Sequence, residues 1–375
     1  MKVAIIMGSD LRNYGGGEKD VIRYSSQLKV KMDITIFSPI GIGEERVGIE
    51  RINDLLIGVN IVWFKGKKIR LLKDIWTRYR FDLRGFDKVY STSQGFLFNR
   101  KILNAGAGKT LLGIHTLGAL SNHPAENKLW KRMLFKPIYP INIHYIKKYN
   151  EIRIQNKDDL QRLKEIGYKG KIWNIPPAMF SDTPEPVVSD KFYGVWVNRV
   201  SPEKRPELLL ELAQLLPDIE FHAIGSGPLT HLFEGVPNIK HTGFLTDEEL
   251  SNELRHASFY VSTSRGENFG MSAVEAMAHG VPTIVPNVMG LRDYNRFICS
   301  DVAEMKTIIV RLYKAFTGEI EDELLDHGFT IMKGKLAYET YRKQLREVTL
   351  ERFSDNVVIP KIASMLEDSG EIVAK

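Results

Sequence analysis

Short apolar runs recur along the chain, and each is followed by a stretch with helical spacing. Val3–Gly8, Asp33–Pro39, Asn60–Phe64, Lys88–Thr92, Thr110–His115, Ile152–Gln155 and Lys171–Ile175 form a first set. Tyr193–Asn198, Glu220–Ile224, Lys240–Thr242, Phe259–Thr263 and Pro282–Val285 form a second. Strands alternating with helices in this way predict parallel sheets covered on both faces. Between the sets the chain is dense in proline, with Ile175-Pro176-Pro177 and then Thr183-Pro184-Glu185-Pro186, which reads as a linker. The expected architecture is α/β, with two doubly wound Rossmann-like domains facing each other across a cleft. Residues 1–178 would form the first and 179–345 the second. A helical segment over 346–375 is expected to pack back toward the first. Ligands of such sheets bind outside the carboxyl ends of the strands, so the loops there are the ones to search.

Composition narrows the setting. A length of 375 residues suits two domains, and a single cysteine, Cys299, excludes an internal disulfide framework and fits a reducing compartment. The Lys2–Met7 run meets polar Ser9 and Asp10 at once, too early for a secretory leader, and no apolar run is long enough to span a membrane. The expected location is cytoplasmic, either soluble or peripheral on the cytoplasmic membrane face. Charge is unevenly spread. Residues 1–180 hold 32 Lys+Arg against 16 Asp+Glu, a balance of +16, and the remainder holds 20 against 30, a balance of −10. An anionic partner for the first half follows. Lys65–Arg80 and Lys128–Lys136 mix basic, aliphatic and aromatic residues, as in amphipathic helices that lie on anionic membranes. Ordinary surface helices with aromatics turned inward would look the same. No nucleic-acid recognition module is visible, so nucleic acid is not an expected partner.

The chemistry concentrates after Ser258–Ser262. That strand leads into a loop bracketed by Gly266 and Gly270, and then into a helical run over Met271–His279. Free N–H groups at a helix start favour anions. Glu267 and Glu275 there would repel a phosphate unless they aim at hydroxyl donors such as those of a sugar or ribose. After the first strand of the second set, Arg199 and Lys204 put two cations at the predicted strand ends, as a diphosphate requires; a solvated helix entry is the plainer reading. Asn13–Lys19 is a glycine-rich turn without the GxGxxG spacing of a dinucleotide site, so no NAD is expected. His115 ends an apolar strand and is either a structural hydrogen-bonding residue or part of a site. No Asp-x-Asp occurs, and Glu321-Asp322-Glu323 reads as a solvated surface.

Asn198-Arg199-(x4)-Lys204-(x)-Pro206-Glu207-Leu208-Leu209, Ile224-Gly225-Ser226-Gly227-Pro228-Leu229, Thr242-Gly243-Phe244-Leu245 and Glu267-(x7)-Glu275 occur in this order. Together they resemble the retaining GT-B glycosyltransferases of family four, the group 1 glycosyltransferases. Gly15-Gly16-Gly17-Glu18 resembles that family's first loop. The resemblance implies transfer of a hexose from a UDP- or GDP-sugar to a hydroxyl of a glycan or lipid-linked acceptor, with no metal and no other cofactor. It assigns Arg199 and Lys204 to the diphosphate, Glu275 to the ribose hydroxyls and Glu267 to the donor sugar. Backbone N–H groups of Asn268, Phe269 and Gly270 would reach the sugar or phosphate. The backbone near Gly16 and Gly17 would close on the diphosphate, and His115 would lie near the sugar and acceptor. The chain departs from the family pattern at Thr116, where relatives often carry Asp, and over Asn287–Asp293. No carboxylate is clearly suited to act as a nucleophile, which favours front-face substitution over double displacement. A GT-B sugar-nucleotide epimerase or hydrolase, and a non-catalytic sugar-nucleotide or membrane-binding scaffold, are the other readings.

Overall fold

Alternate residues of β1, Lys2–Ile6, point into two different cores: Val3 and Ile5 into one, Ala4 and Ile6 into another. A strand apolar on both sides must lie inside a sheet covered on both faces. The computed structural model describes the chain apart from residues 70–73, 94, 107, 116–119, 121–136, 188, 296, 320–323, 327–328, 333 and 370–375. It divides into one unit of Met1–Met179 with Asp355–Lys375, and a second of Phe180–Ser354.

The first unit holds β2 (Asp33–Ile40), β3 (Asn60–Lys65), the short β4 (Lys67–Ile69) and β5 (Asp74–Trp76), then β6 (Lys88–Ser91), β7 (Lys109–Gly113), β8 (Glu151–Ile154) and β9 (Lys171–Asn174). Seven of its strands form a parallel sheet in the order β3-β2-β1-β6-β7-β8-β9. Helix Gly16–Leu28 buries Val21, Tyr24 and Leu28 against one face, in the same core as Val358 and Ile362 of the last helix, Asp355–Glu367. Each such fully buried aliphatic side chain contributes about 1.5–3 kcal/mol. Lys88 lies inside this unit and is paired with Glu151 at 2.8 Å, while Trp173 Nε1 donates to the same carboxylate at 2.6 Å.

The second unit follows with β10 (Tyr193–Val197), β11 (Glu220–Ile224), β12 (Ile239–Gly243), β13 (Phe259–Val261), β14 (Thr283–Pro286) and β15 (Phe297–Cys299). These form a parallel sheet in the order β12-β11-β10-β13-β14-β15. Trp196 faces one core while Tyr193 and Val195 face the other. From helix Gly334–Phe353, Arg342 donates to the carbonyls of Gly280 (2.9 Å), Val187 (3.0 Å) and Arg255 (3.0 Å), tying the proline-rich entry of the unit to its far end. Ser354 separates that helix from the last one. Among the described residues no helix is long and apolar enough to cross a membrane.

Three expectations are corrected or left aside. β15 was not anticipated, because Phe297–Cys299 is short and carries no alternation long enough to read. The described residues of Lys65–Arg80 form no amphipathic helix: β4 and β5 pair antiparallel, with Lys67 opposite Trp76 and Lys68 opposite Ile75. A two-residue period places Ile75 in the core and Trp76 outside as readily as a helical one would, so mixed basic and aromatic content could not separate the two. Lys128–Lys136 and Glu321–Glu323 lie outside the described residues.

Candidate functional site

In the second sheet the strand order reverses between β10 and β13, the kind of switch point outside which α/β sheets bind ligands. The loop after β10, Asn198–Arg205, and the loop after β13, Ser262–Gly270, start side by side there. They are stitched together. Thr263 Oγ1 donates to the Lys204 carbonyl at 2.6 Å and accepts from Trp196 Nε1 at 2.9 Å. Arg205 Nε donates to the Thr263 carbonyl at 2.6 Å, and Arg265 N donates to the Glu203 carbonyl at 3.0 Å. Arg205 adopts a left-handed φ of 49°, which costs a non-glycine residue about 1–2 kcal/mol. Its guanidinium bonds to the opposite loop offset that cost.

This stitching puts the Lys204 ammonium on the Glu267 carboxylate, and Ser264 Oγ donates to the same carboxylate oxygen at 2.8 Å. The two side chains are 19% and 18% exposed, well withdrawn from water, unlike an ordinary surface pair. Glu267 N donates to the Met289 carbonyl at 3.0 Å. Gly290 is required beside it: at φ +80° its Cβ would lie 2.2 Å from the Glu267 carbonyl oxygen.

The other predicted residues of the second unit lie on these two loops, on the helix that follows and on the loop after β11. Arg199 is exposed on the same loop as Lys204. Asn268 is half-buried on the same loop as Glu267. Phe269 is buried, its ring 4.7 Å from Tyr294 and 5.6 Å from Phe353, so its side chain anchors the loop. Gly270, at φ +85°, opens helix Met271–Ala278, and Glu275 is half-buried in that helix's second turn. Gly225–Leu229, after β11, is bonded to the loop after β10: Val200 N donates to the Ser226 carbonyl at 3.2 Å and Leu229 N to the Val200 carbonyl at 3.1 Å.

In the first unit, Gly16 and Gly17 are exposed in the first turn of helix Gly16–Leu28. Glu18 turns back to accept from Gly15 N at 3.0 Å and from the Ser9 hydroxyl, so part of this helix end is satisfied by its own side chain. His115 follows β7. Its Nε2 lies 2.7 Å from Tyr90 Oη, and Gln155 Nε2 lies 3.3 Å from its Nδ1. Arg153 donates to Tyr90 Oη at 3.3 Å and pairs with Asp20 at 2.9 Å. Burial, and then the Arg153 charge, push the His115 imidazole down to about 3, so the ring is neutral at ordinary pH. Gly113 makes room, since a Cβ there would lie 2.3 Å from His115 Nε2. Thr116 lies outside the described residues.

Sequence reasoning missed Ser264, Thr263, Tyr90, Asp20 and Arg153. A signal existed for one of them: Arg153 stands in the otherwise apolar run of β8, where a charge must find a buried partner. Ser264 and Thr263 carried no signal, because a loop hydroxyl is uninformative until its neighbours are known.

Two parallel α/β units whose strand-end loops carry these residues define the GT-B fold. The solved structure of sucrose-phosphate synthase (tll1590) from Thermosynechococcus elongatus superposes with a TM-score of 0.73 at 13% identity, covering 98% of this chain and 99% of that one. That of Anabaena Alr3699/HepE in complex with UDP and glucose gives 0.70 at 14%, covering 98% and 100%. Residues 181–297 match the family Glycosyl transferases group 1. Sulfoquinovosyl transferase SQD2 of Arabidopsis thaliana is 34% identical over 103 residues, 26% of this chain and 20% of that protein. Mannosylfructose-phosphate synthase of Agrobacterium fabrum is 32% identical over 155 residues, 33% of this chain and 34% of that protein. Among the first such relatives the chain spans between a fifth and two fifths of their length. The match to the group 1 glycosyltransferases lies within the second unit, and what it shows of family is confined to those residues.

Proposed function

We propose that the protein is a retaining hexosyltransferase that moves a sugar from a UDP- or GDP-sugar to a hydroxyl of a glycan or lipid-linked acceptor, without a metal ion. The observation that carries this reading is the Lys204–Glu267–Ser264 cluster at the reversal point of the second sheet. A donor diphosphate competes for Lys204 and, with Arg199, is neutralised by it; Glu267 is then released to accept from the donor sugar's hydroxyls. Glu275 accepts from the ribose hydroxyls. N–H groups at Asn268–Gly270 and at Gly16–Gly17 supply uncharged donors to sugar and phosphate.

In the reacting step the bond between the anomeric carbon and the leaving phosphate oxygen breaks, and the acceptor oxygen bonds to the same face. The acceptor's proton passes to the departing phosphate oxygen. His115, held neutral, lies near the sugar and adds no charge there, its two ring nitrogens being engaged by Tyr90 and Gln155. The names of similar proteins agree with this class: one is a sucrose-phosphate synthase and another was solved with UDP and glucose.

We also place the protein at the cytoplasmic face of an anionic membrane. The β4–β5 hairpin supports this, with exposed Lys67, Lys68 and Trp76, and Arg78 5.6 Å from the Trp76 ring. The test of the activity is product analysis by NMR with a panel of UDP- and GDP-sugars and hydroxyl acceptors. A new glycoside with the donor's anomeric configuration supports the reading. Free or isomerised sugar, or an inverted linkage, would overturn it.

A further inference from the structure

The first unit contains a basic pocket that the proposed transfer does not use. Helix Phe96–Leu103 and the chain after β5 border an open groove of about 410 Å³, with Arg80, Arg100, Lys101 and Asn104 among its lining residues and Phe81 and Leu97 as apolar walls. The helix begins just past the carboxyl end of β6 and runs back along the sheet. Lys101 and Asn104 thus stand about 7–12 Å along its axis, away from the strand ends that carry Gly16, Gly17 and His115.

Among the described residues no carboxylate lines the groove, and neither Arg80 nor Arg100 makes an ion pair. Lys101 is half-buried, and its Nζ is fixed by donation to the Thr77 carbonyl at 2.7 Å. Burial, followed by the nearby Arg80 charge, lowers its pKa, as expected where like charges crowd without a counter-ion. The carboxyl end of the helix contributes about half a negative charge, which three full cations outweigh. Two guanidinium forks, an ammonium and the Asn104 amide suit a tetrahedral oxyanion. A bare phosphate leaves most of the volume empty, and the apolar walls invite carbon.

We propose that this pocket binds a phosphate ester, its oxyanion among Arg80, Arg100 and Lys101 and its carbon portion against Phe81 and Leu97. The ester is either a lipid headgroup or a small soluble molecule. Calorimetric titration with inorganic phosphate and with glycerol 3-phosphate tests the pocket. The proteins compared are the wild type, Arg80→Glu, Arg100→Glu and a Lys31→Glu control at an exposed lysine elsewhere on the first unit.

Glycerol 3-phosphate is expected to bind more tightly than inorganic phosphate and to weaken by about tenfold or more in each pocket variant, the loss of one charge-assisted contact, but not in the control. Vesicles of phosphatidylcholine with and without phosphatidic acid then identify the source. Binding that needs phosphatidic acid, and is displaced by glycerol 3-phosphate and lost in Arg100→Glu, assigns a lipid headgroup. Glycerol 3-phosphate binding without such vesicle binding assigns a soluble ester. No binding of either small probe, or equal affinity in wild type and pocket variants, overturns the proposal. Neither result depends on sugar transfer.

Discussion

Lys204 and Glu267 neutralise each other at a loop junction where both side chains are mostly withdrawn from water, which makes their separate contributions measurable. On the proposed function, Lys204→Ala removes a diphosphate contact and leaves Glu267 without its counter-charge, so nucleotide affinity is expected to fall by about tenfold or more. Glu267→Ala should lower the chemical rate far more than nucleotide affinity. Collapse of affinity instead, measured by calorimetry alongside turnover, would mean that the two glutamates at 267 and 275 exchange roles. His115 offers a test by NMR. With its imidazole pushed down to about 3, its ring resonances should not titrate between about pH 5 and 8, whereas a free histidine has its midpoint near 6.5. A midpoint in that interval would contradict the neutral assignment. What the sequence showed at this scale was the charged and glycine positions. Ser264 is close in sequence to Glu267, but a loop hydroxyl is uninformative until its neighbours are known; Thr263 bonds to Lys204 and Tyr90 to His115 across 59 and 25 positions, and neither leaves a local trace.

Between elements, two buried ionic contacts hold the units together internally. Asp20 of helix Gly16–Leu28 pairs with Arg153 of β8 and also accepts from Ala178 N at 2.7 Å. Asp20→Asn leaves Arg153 buried without its counter-charge, and a loss of about 3–5 kcal/mol in unfolding free energy is expected by denaturant titration. In the second unit, His222 of β11 lies 2.5 Å from Glu220 and is also bonded to Glu253 of helix Asp247–His256, under the Tyr193 ring at 4.3 Å. Burial pulls this imidazole down, but the Glu253 and Glu220 carboxylates outweigh it and the net pKa is raised above 6.5. Both carboxylates sit below their usual 4.5. For Glu220 the bond from Lys191 is the main cause; for Glu253 the His222 contacts overcome burial.

A raised histidine contributes stability that is complete below about pH 6.5 and lost as pH climbs through its folded value; the lowered carboxylates contribute stability above about pH 4.5 that is lost on acidification. Thermal unfolding should therefore show an alkaline decline in Tm that His222→Gln flattens. An unchanged alkaline limb would contradict this role. Most strands were legible because apolar runs of this length admit few alternatives. β4 and β5 were not, since Lys67–Ile69 and Asp74–Trp76 are short and mixed in polarity, unlike the wholly apolar β13 of the same length.

At the level of the whole chain, the order of strands within each sheet depends on contacts far apart in sequence and was inferred only as a doubly wound class. The reversal between β10 and β13 is what brings the loops of Lys204 and Glu267 together. The most direct measurement of the proposed function is calorimetric binding of UDP, GDP and their sugar conjugates, first without metal and then with Mg²⁺, to wild type, Lys204→Ala and Glu275→Ala. Tight metal-free binding of one nucleotide series, weakened in both variants, is expected. No binding to any of them, binding only with Mg²⁺, or affinities unchanged in both variants would contradict a metal-independent nucleotide-sugar site.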